Sequence, residues 1–96
     1  MAEKHVFTRK QIIGWCGQAF YDDGEARAKR GEVLRAEMEG NVVTGLVARP
    51  NGTMTCRFAI LPNGLVDSAC GCYANREQGL VCPHVAAVAI SLMYRA

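Results

Sequence analysis

Apolar residues recur at helical spacing early in the chain, at Ile12, Ile13, Cys16, Ala19 and Phe20 with Trp15 on the edge of the stripe, which commits one face of a helix to a core. Thr8 stands three residues before Gln11 as a capping-box pair, and Phe7 with Ile12 is spaced as a hydrophobic staple, so this helix is expected to start at Arg9. Asp22-Asp23-Gly24 is expected to stop it. Gly14 and Gly17 fall inside the span, where each costs about 1 kcal/mol relative to Ala; that cost predicts a second backbone packed closely there. From Glu25 to Arg30 the chain is rich in Ala and charge and runs into Gly31, the pattern of a short second helix with a glycine C-cap.

The period then changes to two. Val33 to Glu39 alternates apolar with charged residues, Glu39-Gly40-Asn41 is a turn, and Val42 to Val47 returns as the second strand of a hairpin. Pro50-Asn51-Gly52 turns the chain into Met54, Cys56, Phe58 and Ile60, and Pro62-Asn63-Gly64 turns it again into Leu65 to Cys70. Four strands so connected form an antiparallel meander. The last segment suits a helix with Pro83 in its first turn and Val85, Val88, Ala89 and Leu92 as its inner stripe. Ala86, Ile90 and Met93 are apolar too. A helix apolar nearly all round is either buried on two sides or open to a partner, which makes Ile90 and Met93 candidate partner contacts.

A chain of 96 residues, 50% hydrophobic, makes one domain and leaves no room for an interdomain catalytic cleft. Eleven Lys and Arg against nine Asp and Glu give a formal charge of +2, far from that of a histone-like nucleic-acid coat. The basic set Arg27, Lys29, Arg30 and Arg35 is either a solvated face or a group of phosphate contacts. Met1 to His5 carries charge where a secretory signal needs an apolar core, and Val85 to Tyr94 is about half a membrane span, so a cytoplasmic protein without membrane association is expected. No glycine-rich phosphate loop, Ser-His-Asp set or paired carboxylates in an apolar setting stands in the sequence; neither enzyme activity nor a small-molecule substrate is expected.

Five cysteines are the chemical excess, and an odd number argues against a fully paired secreted framework. Cys16 and Cys56 lie in apolar-periodic segments and read as core residues. Cys70-Gly71-Cys72 and Cys82-Pro83-His84, separated by nine residues, are two close pairs of soft-to-borderline ligands, one leaving a strand and one entering a helix. That set suits one tetrahedral Zn²⁺ held by Cys70, Cys72, Cys82 and His84, with no position open for a catalytic water. Ordinary core cysteines and a redox dithiol at Cys70-Gly71-Cys72 are the alternatives; the nearby Cys82 and His84 weigh toward zinc. The fold class is then α+β: a helical N-terminal part over 1–31, a small antiparallel β-meander over 32–69, and a zinc-knuckle ββα finger over 70–96 ending in the C-terminal helix.

At Cys70-Gly71-Cys72 and Cys82-Pro83-His84, with Val85-Ala86-Ala87-Val88 following, the chain resembles the SWIM zinc finger, whose signature is Cys-x-Cys, a variable loop, Cys-x-His and a small apolar helix. The likeness reaches from about Gly24 to Met93, since Gly31-Glu32-Val33 and two alternating strands look like the region before such fingers in helicase-like proteins. It implies a zinc-stabilised module without catalysis, of the kind found in Swi/Snf-type ATPases and Mutator-type transposases, docking to a protein partner or an adjacent helicase domain, or binding DNA. Pro83 stands where a basic residue is common, and three thiolates with one Zn²⁺ sum to −1. Both features weaken DNA contact beside the metal.

Overall fold

Residues 8–50, 52–62, 66–70 and 81–95 are described by the computed structural model. Their elements are α1 (Arg9–Cys16), α2 (Gln18–Lys29), β1 (Val33–Glu39), β2 (Val42–Arg49), β3 (Gly52–Ile60), β4 (Val66–Cys70) and α3 (Pro83–Arg95), an α+β arrangement of helices and one antiparallel sheet.

The capping box opens α1 as the sequence indicates. The Thr8 hydroxyl accepts from Gln11 N–H at 3.1 Å, while Thr8 N–H donates to Gln11 Oε1 at 3.1 Å. Phe7, the other half of the expected staple, lies outside the described residues. The end of the helix differs from expectation. Gly17, at φ +88°, closes α1 by donating to the Ile13 carbonyl at 2.7 Å and starts α2 by accepting from Tyr21 N–H at 3.0 Å. Asp22-Asp23-Gly24, expected as a stop, lies inside α2. The two aspartates find partners one turn away along the helix, Asp22 from Gln18 Nε2 at 2.8 Å and Asp23 from Arg27 Nε at 3.2 Å, and so do not compete for the backbone. At its far end α2 closes as predicted: Gly31 adopts φ +78°, its N–H reaches the Ala28 carbonyl, and Glu32 N–H reaches that of Arg27.

The sheet runs in the order β1-β2-β3-β4, each pair antiparallel. Gly40 at φ +63° makes the two-residue loop between Glu39 and its partner Val42 possible. Alternation puts Ala36, Val43, Val47, Met54, Cys56 and Phe58 on one buried face. The α3 helix lies across that face, and α2 lies against the other side of α3. Its continuous apolar run is thereby explained, because Val85 to Ile90 are all buried.

Two glycines permit this layering. A Cβ at Gly24 of α2 would lie 2.8 Å from Ala86 Cβ and 2.9 Å from Ala87 N, and one at Gly45 of β2 would collide with the Val88 side chain. Close approach therefore occurs at Gly24 and Gly45. Gly14 and Gly17, where it was expected, have nothing within 4 Å of an added Cβ. Ile90 is also corrected: at 0% exposure it is core, and Met93 is partly buried against that core, so this helix face is not open to a partner. Trp15 of α1 meets Phe58 of β3 with ring centroids 6.1 Å apart, which seats α1 beside α3 on the same side of the sheet.

Candidate metal centre

Register and topology point the strand that carries Cys70 toward the end of the sheet at which the helix that carries His84 starts. β4 runs from Val66, opposite Ile60, to Cys70, opposite Cys56, and so heads toward the end of the sheet where β2 turns into β3. His84, in the first turn of α3, borders a surface depression of about 570 Å³ together with Ala48, Arg49 and Pro50 from that end, and with Arg27 and Glu32. The strand that carries Cys70 thus runs toward the end of the sheet at which His84 lies. Cys72 and the side chain of Cys70 lie outside the described residues.

Cys82 immediately precedes α3, and its carbonyl accepts from Ala86 N–H at 3.1 Å to close the first turn. Its side chain is fully buried. Two residues on, His84 Nδ1 is buried and has no hydrogen-bond partner among the described residues. A buried imidazole nitrogen left so costs on the order of 1–3 kcal/mol of desolvation, and a metal ion would satisfy it. Among the described residues no three His, Cys, Asp or Glu side chains gather as a metal site; of the four expected ligands, Cys82 and His84 are the two whose side chains are described. A buried sulfur and an orphaned imidazole nitrogen at one helix start are a donor set that fits zinc.

Cys56 is core, as its apolar period indicates. Cys16 is half-buried in the last turn of α1, its Sγ donating to the Ile12 carbonyl at 3.2 Å. Burial pushes its thiol up to about 11, the backbone hydrogen bond opposes that, and the charge of nearby Cys82 adds to it. At neutral pH Cys16 is therefore a thiol. Sixty-five residues separate it from Cys82 in sequence, and no spacing rule connects them.

The basic set is largely matched by carboxylates. Arg27 contacts Asp23 at 3.2 Å and Glu32 at 3.4 Å, Arg30 contacts Glu32 at 2.7 Å, and Arg35 faces Glu37 at 3.9 Å. Glu32 is held below the usual carboxylate range, chiefly by the Arg30 hydrogen bond and then, against some desolvation, by the charges of Arg30 and Arg27. Lys29 is exposed. Among the described residues no helix is long and apolar enough to cross a membrane. No family model, curated protein or solved structure matches the chain.

Proposed function

We propose that the chain is a structural zinc module of the SWIM type that works in protein–protein or intramolecular docking, attached to or acting with a Swi/Snf-like helicase. The observation that carries the metal reading is the buried Nδ1 of His84, without a hydrogen-bond partner among the described residues, two residues from buried Cys82. Cys70, Cys72, Cys82 and His84 would hold the ion. When bound, zinc supplies cross-linking of the β4 end to the α3 start, and its four protein ligands leave no site for a reacting water.

Docking is favoured over DNA binding by the carboxylates that engage Arg27 and Arg30, since a guanidinium already paired has less to gain from a phosphate. With Ile90 in the core, the exposed apolar side chains Leu34 and Met38 of β1, an edge strand among the described residues, are the better docking candidates. DNA binding is the second reading, through Arg27, Lys29, Arg30 and Arg35.

Titration of a labelled duplex at two salt concentrations separates the readings. Four phosphate contacts give a log–log salt slope of roughly −3.6 and about a hundredfold loss of affinity between 50 and 200 mM salt. Only Lys29 and exposed Arg35 acting gives roughly −1.8 and about tenfold. Docking predicts the shallower slope and weak binding. Tight binding at physiological salt with the steeper slope would replace it with the DNA reading.

A further inference from the structure

Cys56 is a buried thiol that the sheet sets directly opposite Cys70. Met54, Cys56 and Phe58 are the buried alternates of β3, and the backbone register pairs Phe58 with Ser68 and Cys56 with Cys70. Directly opposed residues of an antiparallel pair have Cβ atoms about 4.5–5.5 Å apart. A disulfide needs about 3.5–4.5 Å, an approach of about 1 Å. Among the described residues β4 stands at the edge of the sheet, hydrogen-bonded to β3, and can make that approach without breaking a second described ladder.

We infer that Cys56 and Cys70 are a cross-strand thiol pair that a peroxide closes to a disulfide, removing Cys70 from the metal and so releasing it. The Cys70 thiolate attacks one peroxide oxygen, the S–O bond forms, the O–O bond breaks and hydroxide leaves, with Cys70 oxidised to the sulfenic acid. The Cys56 sulfur then attacks the Cys70 sulfur. The S–S bond forms, the S–O bond breaks, and the departing hydroxide takes the Cys56 proton as water. One thiolate, one thiol and one hydrogen peroxide become one disulfide, one water and one hydroxide. A thiol reductant reverses the change and restores the ligand. Cys56, buried and unreactive by itself toward bulky reagents, acts here as the resolving thiol for a ligand one strand away.

The disulfide rests on the register; the release of metal rests also on the zinc reading above. The test uses the whole wild-type protein treated with hydrogen peroxide, with freed zinc read by a colorimetric chelator. Remaining thiols are alkylated, and tryptic fragments are sequenced by mass spectrometry. Cleavage after Arg57 separates Cys56 from the fragment that contains Cys70, so a linked pair of peptides lacking two hydrogens identifies the bond. The expected result is that linked pair, assigned to Cys70 by its fragment ions, with zinc release rising in step from background to the full bound amount and both reversed by dithiothreitol. A product joining Cys70 to Cys72 or Cys82, or Cys16 to Cys82, while Cys56 is alkylated in full after denaturation, would overturn the inference. A protein without zinc that still forms the Cys56–Cys70 link would overturn the metal reading and leave the thiol pair standing.

Discussion

Replacing Gly45 with Ala tests the layered packing on which the site depends. The added Cβ would lie 2.7 Å from Val88 Cγ1, 3.1 Å from Val88 Cβ and nearer still to Cγ2. Carbon pairs settle near about 3.5–4.0 Å, so α3 or β2 must yield by roughly 1 Å. Val88 cannot swing away, because a β-branched residue in a helix has one strongly preferred rotamer. Nor can α3 retreat freely, since α2 closes on it from behind at Gly24. Overpacking of this kind costs about 1–3 kcal/mol, against about 0.4–1 kcal/mol returned by the stiffer unfolded chain. A net loss of about 1–2 kcal/mol corresponds to a fall in Tm of roughly 5–15 °C for a domain of this size. Val88→Ala alone removes two carbons, worth about 1.6 kcal/mol of transfer, plus a cavity term. In the double variant the methyl that Gly45→Ala adds fills part of that space, so the pair should be more stable than the sum of the singles by at least about 1 kcal/mol. Urea unfolding followed by far-ultraviolet circular dichroism, at fixed zinc content, measures all four proteins. Additive losses, or a neutral Gly45→Ala, would refute the packing argument.

Two further predictions are open to the same measurement. Gly14→Ala and Gly24→Ala should differ in sign although both glycines lie inside helices: Gly14 has nothing within 4 Å and should gain about 1 kcal/mol from helix propensity, whereas Gly24→Ala should lose stability because its Cβ meets Ala86 and the Ala87 backbone. Equal effects at the two sites would contradict this. Glu32 has its carboxyl lowered in the folded state, so its pairs with Arg30 and Arg27 contribute above the ordinary value of 4.5 and are lost as pH falls below it; Glu32→Gln should flatten the acid side of the stability profile, and an unchanged acid limb would dismiss those pairs.

Local signals proved readable where local physics decides. The Thr8 capping box, the glycine close at Gly31, the period-two strands and the Gly40 loop are each fixed within a few residues, and all four strands formed in the expected order. Long-range packing decided the rest. Asp22-Asp23-Gly24 carries the composition of a helix stop, but α2 runs through it because Gly24 is where α3 must come close. The same contact buries Ile90, whose apolar character cannot by itself distinguish a second buried side from a partner surface. At the candidate metal site, the spacing of Cys82 and His84 is legible from the chain. The neighbourhood of Cys16 and the pairing of Cys56 with Cys70 depend on helix placement and strand register, which no short spacing reveals.

Metal content of the purified protein tests the central claim most directly. Structural zinc in small peptides contributes about 10–16 kcal/mol of apparent binding energy at neutral pH, comparable to the roughly 5–15 kcal/mol that holds a whole domain folded. Mass-spectrometric metal analysis should find one zinc per chain in the wild type and in Cys56→Ala, and less than a tenth of that in Cys82→Ala and His84→Ala, even after refolding with excess zinc. A natively folded wild type without zinc, or full occupancy in both ligand variants, would contradict the account.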